Sequence, residues 1–126
     1  MKKIITLCLL VVTLFVFGST ANASPIKYKG TIGPYEVQVS LNFIDGGGGV
    51  PSEYNGSYTY TKAGNTLRLE ASSHKMTGTY IEEYTKKGVN SASWHLNGMI
   101  GDKVLKGTFH NNLNGKTFKI NLKRTN

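Results

Sequence analysis

Cysteine is almost missing from this 126-residue chain: the one present, Cys8, sits close to the N-terminus. A disulfide within the chain is excluded, and so are thiolate-rich zinc sites. Acids are also scarce, 7 Asp+Glu against 15 Lys+Arg. Their one adjacent pair is Glu82-Glu83. Basic residues form no dense tract, since after residue 23 only Lys86-Lys87 and Lys123-Arg124 are neighbours. That argues against a basic arm of the kind that grips nucleic acid. No window beyond the N-terminus carries an apolar residue every three to four positions, so amphipathic helices are not expected. Nucleophile elbows, phosphate-binding loops and zinc-hydrolase motifs are absent as well. Gly46 to Gly49 is followed by no Lys-Ser/Thr step and opens no helix, so it is not a P-loop.

The N-terminus reads as an export signal. Lys2 and Lys3 precede an apolar stretch from Ile4 to Phe17, and Ala21-Asn22-Ala23 supplies small residues at the cleavage position. The apolar stretch is shorter than the roughly 20 residues a spanning helix needs, and no charge cluster stops it. Cys8 lies inside the apolar stretch and not at the cleavage point, which excludes lipid modification there. Two units are therefore expected: a leader over 1–23 and one domain over 24–126. The domain keeps 13 Lys+Arg and 7 acids, a net charge of +6. A periplasmic or secreted location is expected, with no transmembrane segment in the processed chain.

Within 24–126 the dominant period is two. Tyr35, Val37, Val39, Leu41 and Phe43 alternate with Glu36, Gln38, Ser40 and Asn42. Phe118, Ile120 and Leu122 alternate with Thr117, Lys119, Asn121 and Lys123. Such runs are strands with one dry face and one wet face. Leu67-Leu69-Ala71 and Trp94-Leu96 repeat the pattern. Turn residues separate the runs: Gly33-Pro34, Asp45 to Gly49, Ala63-Gly64-Asn65, Lys87-Gly88, Gly101-Asp102 and Asn114-Gly115. Asn114-Gly115 has the form of a type I′ hairpin turn, with positive φ at both positions. About eight antiparallel strands in meander order are expected.

A four-residue pattern, apolar-x-Gly-Thr/Ser, recurs at Tyr28 to Thr31, Tyr54 to Ser57, Met76 to Thr79 and Leu105 to Thr108. Each glycine shares the apolar face of its strand. An inward glycine relieves crowding where a sheet coils. The fold expected is all-β, a small barrel or a strongly coiled sandwich.

Ile32 to Val37, Tyr54 to Tyr60, Leu67 to Leu69 and Gly107 to Leu122 together resemble a group of small exported bacterial β-barrel proteins. Periplasmic lysozyme inhibitors are similar in size, export and architecture. The resemblance implies a scaffold that pushes a short loop into an enzyme cleft, and Asn55-Gly56-Ser57-Tyr58 looks like such a loop. The cysteine pair of one inhibitor class is missing here.

Candidate chemistry is sparse. His74, His95 and His110 read as separate wet-face residues, so no metal site and no cofactor are expected. Glu82 and Glu83 face opposite ways on an extended strand. By that alternation Glu82 shares a face with Tyr80 and Tyr84 and becomes the candidate inward carboxylate. Tyr58, Tyr60 and Lys62 share a face, but export disfavours the single-stranded nucleic acid that stacks on such surfaces. The residues point to an exported, non-catalytic binding protein whose partner is another envelope or secreted protein, with an acidic surface or an enzyme cleft, as for inhibitors and immunity proteins. The alternatives are a small-ligand carrier with an interior lined by Tyr28, Tyr58, Tyr60, Tyr80 and Trp94, and a hydrolase using Glu82. The candidate binding residues are Asn55, Ser57, Tyr58, Tyr60, Tyr80, Glu82 and Trp94, with Gly46, Gly47, Gly48 and Gly49 as a mobile loop tip.

Overall fold

A computed structural model describes residues 24–47 and 49–126. The expected leader over 1–23, and Gly48, lie outside the described residues. The rest is eight strands: β1 (Ile26–Ile32), β2 (Tyr35–Gly47), β3 (Val50–Tyr60), β4 (Thr66–His74), β5 (Gly78–Tyr84), β6 (Asn90–Asn97), β7 (Val104–Asn111) and β8 (Thr117–Arg124). They pair in sequence order, all antiparallel, and β8 closes on β1 to complete a barrel. The period-two reading is thus borne out, and closure decides between barrel and sandwich.

Alternation sorts the side chains. Tyr28, Ile32, Val37, Val39, Leu41, Tyr58, Leu69, Ile81, Trp94, Leu96, Leu105, Ile120 and Leu122 are buried inside. Their neighbours Lys29, Thr31, Gln38, Lys119, Asn121 and Lys123 face out. Apolar side chains inside and polar ones outside is the reverse of a barrel that crosses a lipid bilayer. No helix among the described residues is long and apolar enough to cross a membrane.

Three of the four recurring glycines do coil the sheet. Gly30, Gly56 and Gly107 pair with Leu122, Leu41 and Leu96 on neighbouring strands. A β-carbon at these positions would collide with the backbone carbonyl oxygens of Asn121, Ser40 and His95 respectively. Glycine therefore lets the adjacent strand cross close against it. The fourth, Gly78, differs: it opens β5 with φ 87°, as a turn residue. Asn114-Gly115 also departs from expectation. Gly115 alone takes positive φ (76°), and Asn114 does not. A four-residue loop, closed by Asn111 N–H to Lys116 O and Gly115 N–H to Asn111 O, replaces the type I′ turn.

In a meander, alternate turns fall at the same end. The β1–β2, β3–β4, β5–β6 and β7–β8 turns ring one end, here called the mouth. The β6–β7 loop, the start of β1 and the end of β8 lie at the other. That other end is plugged. Ile100, from the β6–β7 loop, is buried. Its N–H donates to Ser73 Oγ at 2.9 Å, and Thr79 Oγ1 donates to Gly98 O at 2.8 Å. Tyr28 Oη donates to Asp102 O at 2.7 Å and accepts from Gly101 N–H at 2.8 Å. Every polar atom named is paired, as burial demands.

Candidate functional site

The mouth is built from aromatic residues that stand beside turns. Tyr35 follows Gly33-Pro34, Tyr60 ends β3, Phe109 lies near the end of β7, and Phe118 near the start of β8. Tyr35 is 51% exposed. It makes edge-to-face contacts with Tyr60, at 5.9 Å between ring centroids, and with Phe118, at 6.0 Å. From Tyr60 the contacts continue to Tyr58 (5.3 Å), Trp94 (4.9 Å), Phe109 (5.8 Å) and Phe118 (6.2 Å). Six rings thus form a closed circuit from the rim into the core and back. Tilted and edge-on pairs of this kind add to the stabilisation from burial alone.

Between the rings opens a cleft of about 740 Å³, lined by Tyr35, Tyr60, Phe109 and Phe118, with Lys62 and Lys116 among its polar residues. Glu36 and Asn114 line it too. A volume of this order suits a small molecule or a few side chains of a partner.

Below Tyr60 lies a buried polar relay. Tyr58 Oη donates to Glu83 Oε1 at 2.5 Å and lies within hydrogen-bonding distance of Tyr60 Oη, at 3.1 Å. Ser91 Oγ donates to Glu83 Oε2 at 2.6 Å. Ser91 reaches the carboxylate because of a bulge. Glu83 pairs with Ala92 and Tyr84 with Asn90, so Ser91 is the extra residue. Ser91 and Ala92 are both buried, and the bulge breaks the alternation to turn both inward. Burial first, then the hydrogen bond to Glu83, pushes the Tyr58 hydroxyl far above its ordinary pKa. Burial also raises Tyr60, against a lowering hydrogen bond from Tyr58. Both phenols stay protonated, Tyr58 as donor and Tyr60 as its acceptor.

The inward carboxylate is Glu83, 4% exposed, and not Glu82. Thr79, Ile81 and Glu83 set the phase of β5, which puts Tyr80, Glu82 and Tyr84 on the outer wall. Tyrosine can be buried or half-exposed, whereas Ile81 has no polar tip to bring to water, and it decides the register. Outside, Glu82 lies opposite Glu70 and accepts from Ser93 Oγ at 3.2 Å. Tyr80, half exposed, stacks on His95 at 4.4 Å. Tyr80 therefore does not line the interior. Asn55 and Ser57 point outward from the barrel wall, between the buried Tyr54 and Tyr58. They belong to a strand, and the loop role expected for Asn55 to Tyr58 is corrected accordingly.

The glycine tip is also narrower than expected. β2 runs to Gly47 and β3 begins at Val50, which pairs with Gly47. Gly46 and Gly47 are strand residues, and only Gly48 and Gly49 separate the strands. This hairpin lies at the plugged end, away from the cleft.

Of the expected residues, the structure brings Tyr58, Tyr60 and Trp94 into one circuit and leaves Asn55, Ser57, Tyr80 and Glu82 outside it. Sequence reasoning missed Tyr35, Phe109, Phe118, Glu83 and Ser91. A usable signal existed: aromatics next to the first, third and seventh turns of a meander must share one end. The histidines stay apart. His95 pairs with Thr108, His110 with Ser93, and His74 Nδ1 accepts from Met76 N–H. Among the described residues no three His, Cys, Asp or Glu side chains gather as metal ligands. Compared with known proteins, the chain matches no family model, no curated protein and no solved structure.

Proposed function

We propose that this is an exported, non-catalytic binding protein that grips an apolar side chain of a partner protein in its mouth. The observation that carries the reading is Tyr35, half in solvent and held edge-on by Tyr60 and Phe118 over an open cleft. A rigid aromatic wall offers contact area with little entropy left to lose. Lys62 and Lys116 at the rim outnumber Glu36, which favours an apolar group followed by a carboxylate. The relay beneath supports a binding role over a catalytic one. Both Glu83 oxygens already accept hydrogen bonds, from Tyr58 and Ser91, and Tyr58 in turn meets Tyr60.

The small-ligand reading survives in altered form. Trp94, Tyr28 and Tyr58 are each 1% exposed and fill the interior positions themselves. A carried molecule would sit in the mouth, not in the barrel. The hydrolase reading needed Glu82 inside a cavity, and Glu82 is on the outer wall.

A displayed peptide library selected against the protein tests the proposal. Enriched peptides should carry an aromatic or large aliphatic residue beside an acid. Tyr35→Ala should weaken them by roughly tenfold or more, the scale of a binding hot spot. Peptides that bind Tyr35→Ala as well as the parent would overturn the proposal. Tight binding of a free aromatic acid, with no gain from flanking peptide, would favour the small-ligand reading instead.

A further inference from the structure

Lysines that look scattered along the chain are gathered by closure of the barrel. Strands β7, β8 and β1 carry Lys106, Lys119, Lys123, Arg124, Lys27 and Lys29, and no acid. Strands β2 to β5 carry six acids and one base, Arg68. That one base is in the only ion pair found among the described residues, Arg68–Glu70. The six cations of the other wall, all exposed, make no ion pair with an acidic side chain there.

The pairing of β1 with β8 sharpens this. Lys29 lies directly opposite Lys123. Their other cross-strand neighbours are Gln38 and Val104, so no carboxylate intervenes. Like charges in directly opposed positions destabilise a sheet. Beside them an open cleft of about 530 Å³ is lined by Lys103, Val104, Lys123, Arg124, Thr125 and Asn126, with three cations and no acidic side chain.

We propose that the β7–β8–β1 wall binds a flexible, linear phosphate polymer, at a site separate from the mouth. Alternate residues on a strand stand about 7 Å apart and neighbouring strands about 4.8 Å, so the ammonium groups form a lattice that successive phosphates can follow. Thr31, Thr108 and Asn121 stand between the lysines as neutral hydrogen-bonding groups. The wall turns through two of the eight strand-to-strand steps, a quarter of the circumference. A flexible chain can wrap such a convex surface, whereas a flat bilayer touches only part of it. Val104 is the one large apolar residue exposed on these strands, too little to anchor in lipid. The exposed wall offers no Phe, Tyr or Trp ring, and its single imidazole, His110, is too little for successive bases to stack on.

Titration of the protein with long-chain inorganic polyphosphate tests this. Binding should weaken by about a hundredfold between roughly 50 and 200 mM salt, as expected when about five phosphates are neutralised. The double variant Lys29→Gln/Lys123→Gln should lose roughly tenfold in affinity. Lys86→Gln/Lys87→Gln removes the same charge from the β5–β6 turn and should change affinity less than about twofold. If the first variant does not fold, Lys106→Gln/Lys119→Gln serves in its place. Equal losses from the wall variant and the turn variant would reduce the effect to net charge and overturn the proposal. So would no binding to polyphosphate, tighter binding to oligo-dT than to polyphosphate, or a preference for phosphatidylglycerol vesicles that Val104→Asp abolishes. Loss of mouth-binding peptides leaves this result untouched, because the two sites share no residue.

Discussion

At one end of the barrel Ile100 is driven into the core, and Tyr28, Ser73 and Thr79 tie the loop behind it through backbone and hydroxyl hydrogen bonds. At the other end Tyr35 stands half in solvent between Tyr60 and Phe118, beside an open cleft. Both ends contain buried tyrosine hydroxyls. At the plugged end the hydroxyl of Tyr28 is used to close the fold. At the mouth the hydroxyl of Tyr58 is held by Glu83 and in turn meets that of Tyr60, and the pair stiffens a wall that stays open. One end is finished for stability, and the other is left available at some cost to it.

The comparison can be broken at either end. The largest effect is expected for Ile100→Ala, which empties the plug. A loss of about 3 kcal/mol in urea denaturation is expected, within the range for buried large-to-small changes. A loss below about 1 kcal/mol would mean that the loop is not a structural plug. Next comes Glu83→Ala beneath the mouth. It leaves the Ser91 hydroxyl with only its longer bond to the backbone carbonyl of residue 83 and Tyr58 with only Tyr60, so a loss of about 2 kcal/mol is expected in the same measurement.

Alkaline pH then compares both ends at once. Burial raises the hydroxyls of Tyr28 and Tyr54 on the plugged side and of Tyr58 and Tyr60 on the mouth side. A pKa raised by folding means that the folded state holds its proton more tightly. The contribution is fully present below the unfolded value near 10 and is lost as pH rises through the folded value. Denaturation midpoints should be level up to about pH 10 with respect to these groups and fall beyond it. Tyr58→Phe should lessen that fall, and an unchanged slope would contradict the buried-donor role. The smallest effect is expected for Tyr35→Ala, about 1 kcal/mol in stability, because two edge-to-face ring contacts are lost from a half-exposed side chain. A larger loss would show that the rim residue supports the fold and would weaken its assignment to binding.

The strands were legible because Val37-Val39-Leu41 and Ile120-Leu122 have one side chain per face and no rival period. Closure was partly legible, since Gly30, Gly56 and Gly107 sit where only an absent side chain lets a neighbouring strand cross. The phase of β5 was misread because Tyr80 and Tyr84 look like core, while the weaker signal of Thr79-Ile81 carried the answer. Glu83 and Ser91 were not legible as partners. A bulge adds one residue to one strand, and period-two counting fails at that point. The basic wall was hidden for another reason: β1 and β8 are far apart in the chain, and their lysines become neighbours only when the barrel closes.

Closure also settles where the chain emerges. Thr125 N–H donates to Lys27 O at 2.8 Å, Asn126 Nδ2 donates to Pro25 O at 2.9 Å, and Lys27 N–H donates to Asn126 Oδ1 at 3.0 Å. Residues 25 and 126 are thus stitched side by side at the plugged end. A tether attached at Pro25 or at Asn126 leaves the aromatic rim facing away from its support. A short linker joining the two would permit a circularly permuted chain, reopened at the Lys86-Lys87-Gly88 turn, with all eight strand pairings kept.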